Sequence, residues 1–103
     1  MAYAVIVTTC GCRESAEKIA GLLVKERLAA CVQRMPIESS YLWKGEICND
    51  AEIVLLIKSR AALFEEVSAK IREHHPYELP EIILLPIEDG LPEYLQWIDD
   101  CTS

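Results

Sequence analysis

The stretch Ile53 to Ile57 (IVLLI) is apolar at five consecutive positions and is bounded by Glu52 and Lys58. Successive side chains of a strand point to opposite faces. A strand of this composition must therefore be kept from water on both sides, and so must the sheet that contains it. Ile82 to Leu85 (IILL) makes the same demand a second time. Any fold open to this chain has to cover both faces of at least two strands.

The rest of the sequence supplies the covering elements. Tyr3 to Thr9 (YAVIVTT) is a β-rich run ending at Gly11 and reads as a first strand. From Ser15 to Arg27, Ala16, Ile19, Ala20 and Leu23 recur at helical spacing. Ala29 to Trp43 is an extended stretch in which Pro36 predicts a bulge or bend, and Lys44-Gly45 predicts a tight turn. Ile47 to Lys58 returns as a third strand. Ser59 is then a candidate cap for a second helix whose apolar stripe is Leu63, Phe64, Val67 and Ile71. Pro76 stops that helix, Glu81 to Ile87 forms a fourth strand, and Leu91 to Cys101 forms a short third helix opened by Pro92.

The order β-α-β-β-α-β is the split βαβ, or ferredoxin-like, arrangement of an α+β domain, here with a short C-terminal helix. Right-handed crossovers place the two long helices on one face of the sheet. The third helix is too short to cover the other face, so a partner subunit is expected there and the chain is expected to be a homo-oligomer. At 103 residues and 51% hydrophobic content, residues 1–103 make one domain.

Charge narrows the function. Residues 1–50 carry six Lys or Arg against six Asp or Glu, and residues 51–103 carry four against eleven. Nucleic-acid binding rests on clustered cations that neutralise phosphates, and no such cluster occurs. No apolar run approaches the roughly 20 residues of a membrane helix, and the start MAYAVIVTTC lacks the features of a signal peptide. The expectation is a soluble cytoplasmic protein. Five cysteines without a CxxC pair fit reduced thiols. Neither GxSxG nor a phosphate-binding glycine loop is present, and no serine has a His and Asp set nearby, so the expectation is not an enzyme.

Topology then gathers a candidate site. The end of strand one, the end of helix two and the start of strand four meet at one rim of the sheet. That rim holds Thr9, Cys10, Cys12, His74, His75 and Glu81, with Tyr77 and Glu78 in the Pro-stiffened connection HHPYELPEI. Adjacent residues of a helix point about 100° apart. His75, however, precedes Pro76 and is pushed out of the helical region, which allows the two imidazoles to converge. Neutral imidazole with a thiolate or carboxylate suits Cu(II), Zn(II) or a related divalent ion. The same pair also suits a plain helix C-terminus, where an imidazole can bond the last carbonyls. The start of helix one reaches this rim too, and its free N–H groups favour a small anionic effector.

Five motifs in order carry a resemblance over nearly the whole chain. They are LAACV (Leu28 to Val32), SxYxWKGEI (Ser39 to Ile47), ExxLxIK (Glu52 to Lys58), HHPYELPEIILLPI (His74 to Ile87) and YLQWI (Tyr94 to Ile98). Together they resemble the CutA divalent-cation tolerance proteins. The resemblance implies a ferredoxin-like homotrimer, similar in outline to the P-II-type nitrogen signal proteins, that binds divalent metal ions and contributes to cation tolerance. It implies a copper site in which the tandem histidines, here His74 and His75, are joined by a cysteine at the end of strand one. The family's cysteine position falls nearest Thr9, and this chain offers Cys10 and Cys12 just beyond it. The alternative implied function is a P-II-like signal or assembly protein holding a small anion at a subunit interface.

Overall fold

The computed structural model describes residues 2–103. Its elements are β1 (Tyr3–Cys10), α1 (Arg13–Lys25), β2 (Cys31–Trp43), β3 (Glu46–Arg60), a 3-10 turn (Ala61–Leu63), α2 (Phe64–His74), β4 (Ile82–Ile87) and α3 (Pro92–Cys101). The strands form one antiparallel sheet in the order β2-β3-β1-β4. This mixed α+β fold has the split βαβ connectivity read from the sequence.

Register assigns the faces, because directly paired residues point the same way. Ala4, Ile6, Thr8 and Cys10 of β1 pair with Ser59, Ile57, Leu55 and Ile53 of β3. This face packs against Ala16, Ile19, Ala20 and Leu23 of α1 and Val67 and Ile71 of α2 to form the core. The opposite face is covered in part by α3. There Arg60 donates to Thr102 Oγ1 at 2.9 Å and to the Thr102 carbonyl at 2.6 Å, Lys58 lies over the Tyr94 ring, and Ile98 is fully buried. Beyond α3 the same face leaves Met35, Ile83 and Leu85 about half exposed.

Local differences from the sequence reading have physical causes. Ser59 does not cap α2: it lies buried within β3 and donates to the Leu28 carbonyl at 2.6 Å. The chain instead makes a 3-10 turn before α2, whose N-cap position is Leu63. Pro36 causes no bulge, since the β2·β3 register is unbroken from Cys31↔Lys58 to Trp43↔Glu46. β2 is an edge strand, where a missing N–H can face away from the ladder. Lys44 and Gly45 both have positive φ, 50° and 81°, as a two-residue turn of the I′ kind requires.

One consequence of the register is an arm. β1 ends at Cys10↔Ile53, but β2 and β3 continue pairing from Ile37↔Glu52 to Trp43↔Glu46. That part of the hairpin is two-stranded and ends in exposed Leu42 (71%) and Ile47 (78%).

Candidate functional site at the end of the first strand

α2 ends at His74 because Pro76 forbids the helical conformation at the residue before it, and His75 takes φ −92°, ψ 132°. This change of direction carries the His75 ring back to the end of β1. Its Nε2 lies 2.6 Å from the Thr9 carbonyl. Tyr77 N–H donates to Nδ1 at 3.1 Å. A carbonyl can only accept and a backbone N–H can only donate. The ring is therefore the neutral tautomer with its proton on Nε2 and its lone pair on Nδ1, facing the Tyr77 amide. His75 is buried, whereas the His74 side chain is 25% exposed with its Nε2 3.9 Å from the Glu73 carboxylate. The two imidazoles have different environments.

Tyr77 spans the rim. Its ring meets the His75 ring edge-on with centroids 4.7 Å apart, and its hydroxyl donates to Glu52 Oε2 at 3.0 Å. A Cβ on Gly11 would lie 2.9 Å from that hydroxyl oxygen, so the glycine of Cys10-Gly11-Cys12 makes room for the phenol. Burial and the hydrogen bond to Glu52 push the Tyr77 phenol up to about 12.

Glu52, at the start of the apolar run of β3, was not among the residues picked out from the sequence. It is 8% exposed. Among the described residues no Lys, Arg or His lies within ion-pair distance of it. Its sequence signal was a carboxylate bordering the apolar run Ile53 to Ile57, which reads equally as the polar edge of that run.

The two thiols of the Cys10-Gly11-Cys12 turn differ. Cys10 is fully buried, and burial, followed by the nearby Cys12 and Glu52, pushes its thiol up to about 11. Cys12 is exposed at the N-cap of α1. Its sulfur lies 3.4 Å from Ser15 Oγ, and hydrogen bonding from Ser15 lowers its thiol. Glu78 and Glu81 are exposed on the loop. Among the described residues, no three His, Cys, Asp or Glu side chains stand together as a ready metal cluster.

The donor chemistry nonetheless fits a divalent ion in one specific respect. A metal-binding histidine commonly donates its second ring N–H to a backbone carbonyl, which fixes tautomer and orientation. The His75 contact to Thr9 is of that kind, and it leaves Nδ1 as the ring atom with a lone pair. Glu52 adds a buried, uncompensated negative charge on the other side of Tyr77.

Comparison with known proteins agrees with the motifs. The family described as CutA1 divalent ion tolerance protein matches residues 4–101. The divalent-cation tolerance protein CutA of Thermus thermophilus is 42% identical over 100 residues, covering 96% of this chain and 97% of the relative. The chloroplastic protein CutA of Arabidopsis thaliana is 41% identical over 99 residues, covering 95% of this chain and 54% of the relative. The chain spans little more than half the length of the Arabidopsis, rice and mouse relatives. Among solved structures, CutA from Archaeoglobus fulgidus superposes with a TM-score of 0.96 at 39% identity, covering 98% of this chain and 99% of that one. CutA1 from Oryza sativa does so at 0.96 and 38%, covering 100% and 95%.

Proposed function

Because the chain belongs to the CutA1 divalent ion tolerance family, we propose that it is a homotrimer that binds divalent metal ions, Cu(II) in particular, and thereby contributes to cation tolerance. The observation that carries the cation reading is Glu52. A carboxylate on a residue only 8% exposed and paired with no cation is less well hydrated than one in water, and an ion arriving beside it offsets that loss. The phenol of Tyr77 supplies one hydrogen bond but no charge.

The proposed donors are the two histidines and the thiols of the Cys10-Gly11-Cys12 turn. His75 offers Nδ1, His74 is the accessible imidazole, and Cys10 is a soft donor that must lose its proton when the ion enters. Cys12, whose thiol is lowered by hydrogen bonding from Ser15, is the other sulfur within the same turn. Titration of the reduced protein with Cu(II) by calorimetry, repeated with His74→Ala and with His75→Ala, tests the assignment. An affinity unchanged in both variants contradicts it.

The homotrimer is supported by the arm and by the apolar strip at Met35, Ile83 and Leu85. An isolated two-stranded hairpin is marginal in water, and exposed strand edges are usually protected. Sedimentation at micromolar concentration should give a single species near three times 11.6 kDa; a stable monomer contradicts the assembly. The proposed place of action is the cytosol, where reduced thiols persist. Recovery of the protein only from another compartment would contradict this.

A second reading, a small anionic effector as in P-II-like proteins, is favoured by one feature. A groove of about 270 Å³ beside β2 is lined by Arg13 and Arg34, with Glu17, Met35, Pro36 and Ile53. Two arginines among mostly apolar lining residues suit a carboxylate or phosphate with an organic body. Native mass spectrometry of the protein released from cells separates the readings, since a reproducible anionic metabolite favours the second and bound metal alone favours the first.

A further inference from the structure

Tyr77 contacts both of the groups on which the cation reading depends. Its N–H takes the His75 Nδ1 lone pair at 3.1 Å, and its O–H takes an oxygen of Glu52 at 3.0 Å. Between these two contacts the ring rests on Gly11, where no side chain intervenes. We propose that Tyr77 is a lid over the cation site and sets its affinity: closure of Tyr77 and ligation of a divalent ion by His75 Nδ1 exclude each other. The inference rests on the metal-binding reading given above and concerns what that binding must displace.

The exclusion follows from atoms. Nδ1 has one lone pair, and it cannot both accept the Tyr77 amide proton and coordinate an ion. The opposite nitrogen need not change, because Nε2–H continues to donate to the Thr9 carbonyl at 2.6 Å in either state. The ring is therefore held in one orientation while its coordinating edge exchanges one partner for another. Pro76 and Pro80 limit the rotation of the intervening chain, so release of the Tyr77 amide also moves the phenol. Lifting the phenol uncovers Glu52 and Gly11. The ion's arrival is thereby converted into a displacement of an aromatic ring that is 38% exposed in the closed state.

Weakening the lid without removing a donor should tighten binding. Tyr77→Phe keeps the amide contact and deletes the bond to Glu52. Gly11→Ala places a methyl group against the phenol oxygen and displaces it, and Gly11 does not have the positive φ that would strain an alanine.

The probe is Zn(II), added to the reduced chain of 103 residues. Two measurements are made: hydrogen exchange of the Tyr77 amide by NMR with and without saturating Zn(II), and the Zn(II) affinity of the wild type, Tyr77→Phe and Gly11→Ala. The expected result is faster exchange of the Tyr77 amide on Zn(II) binding and roughly 2- to 10-fold tighter binding by both variants, the range expected for loss of one competing hydrogen bond. Saturation with Zn(II) while the Tyr77 amide keeps its protection overturns the lid and leaves the metal reading standing. Equal or weaker binding by both variants does the same. Zn(II) binding undiminished in both His75→Ala and Glu52→Gln overturns the metal reading, and the lid with it.

Discussion

The His75 Nε2–H group donates to the Thr9 carbonyl across 2.6 Å and joins the segment after α2 to the end of β1, 66 positions away in sequence. This contact decides what the tandem histidines can do. It fixes one tautomer on the buried ring, leaves Nδ1 toward the rim, and separates His75 from the more exposed His74.

The first prediction concerns stability. His75→Ala removes the donor to Thr9 and the acceptor for Tyr77 and leaves a void in a buried position, so a loss of about 2 to 3 kcal/mol is expected. His74→Ala, on a partly exposed ring with no short contact, should cost less than about 0.5 kcal/mol. Urea unfolding of the two variants checks the contrast; equal losses would mean that the Thr9 contact is not what distinguishes them.

A second prediction concerns alkaline pH. Tyr77 and Tyr41 are pushed up to about 12, Tyr77 by burial and its bond to Glu52, Tyr41 by its bond to Asp50. Their folded values exceed the unfolded value of 10.0, so between these limits the native state binds more protons than the unfolded one. The corresponding stability is present below pH 10 and is lost as pH rises toward 12. An ultraviolet titration should resolve two late phenolates, and Tyr77→Phe should delete one of them.

The third prediction tests the arm. Leu42→Lys with Ile47→Lys places two charges at its exposed apolar tip. Burial of a leucine or isoleucine contributes about 1.5 to 3 kcal/mol, so loss of both contacts across three copies should shift the sedimenting species toward the monomer. An unchanged trimer would show that the tip lies outside the subunit contacts.

Much of this architecture is legible in the sequence because it follows from local rules. IVLLI demanded two covered faces, Pro76 ended α2 and turned His75 outward from the helix, and Lys44-Gly45 made the hairpin turn. What was illegible depended on pairing. Ser59 looks like a cap until the register places it opposite Ala4, on the buried face. Pro36 looks like an interruption until β2 proves to be an edge strand. Glu52 and Tyr77 are 25 residues apart, and neither has a sequence signal that distinguishes it from an ordinary strand carboxylate and a loop aromatic. The partnership exists only once Gly11 brings the two elements under one phenol.

Glu52→Gln tests most directly whether the uncompensated carboxylate of Glu52 draws the cation to this rim. The amide keeps an acceptor for the Tyr77 hydroxyl and removes the buried charge, so the variant should be at least as stable to urea as the wild type. In parallel calorimetric titrations with Cu(II), its affinity should fall at least roughly tenfold, a change of about 1.4 kcal/mol. An affinity equal to that of the wild type, in a variant of undiminished stability, would contradict the account.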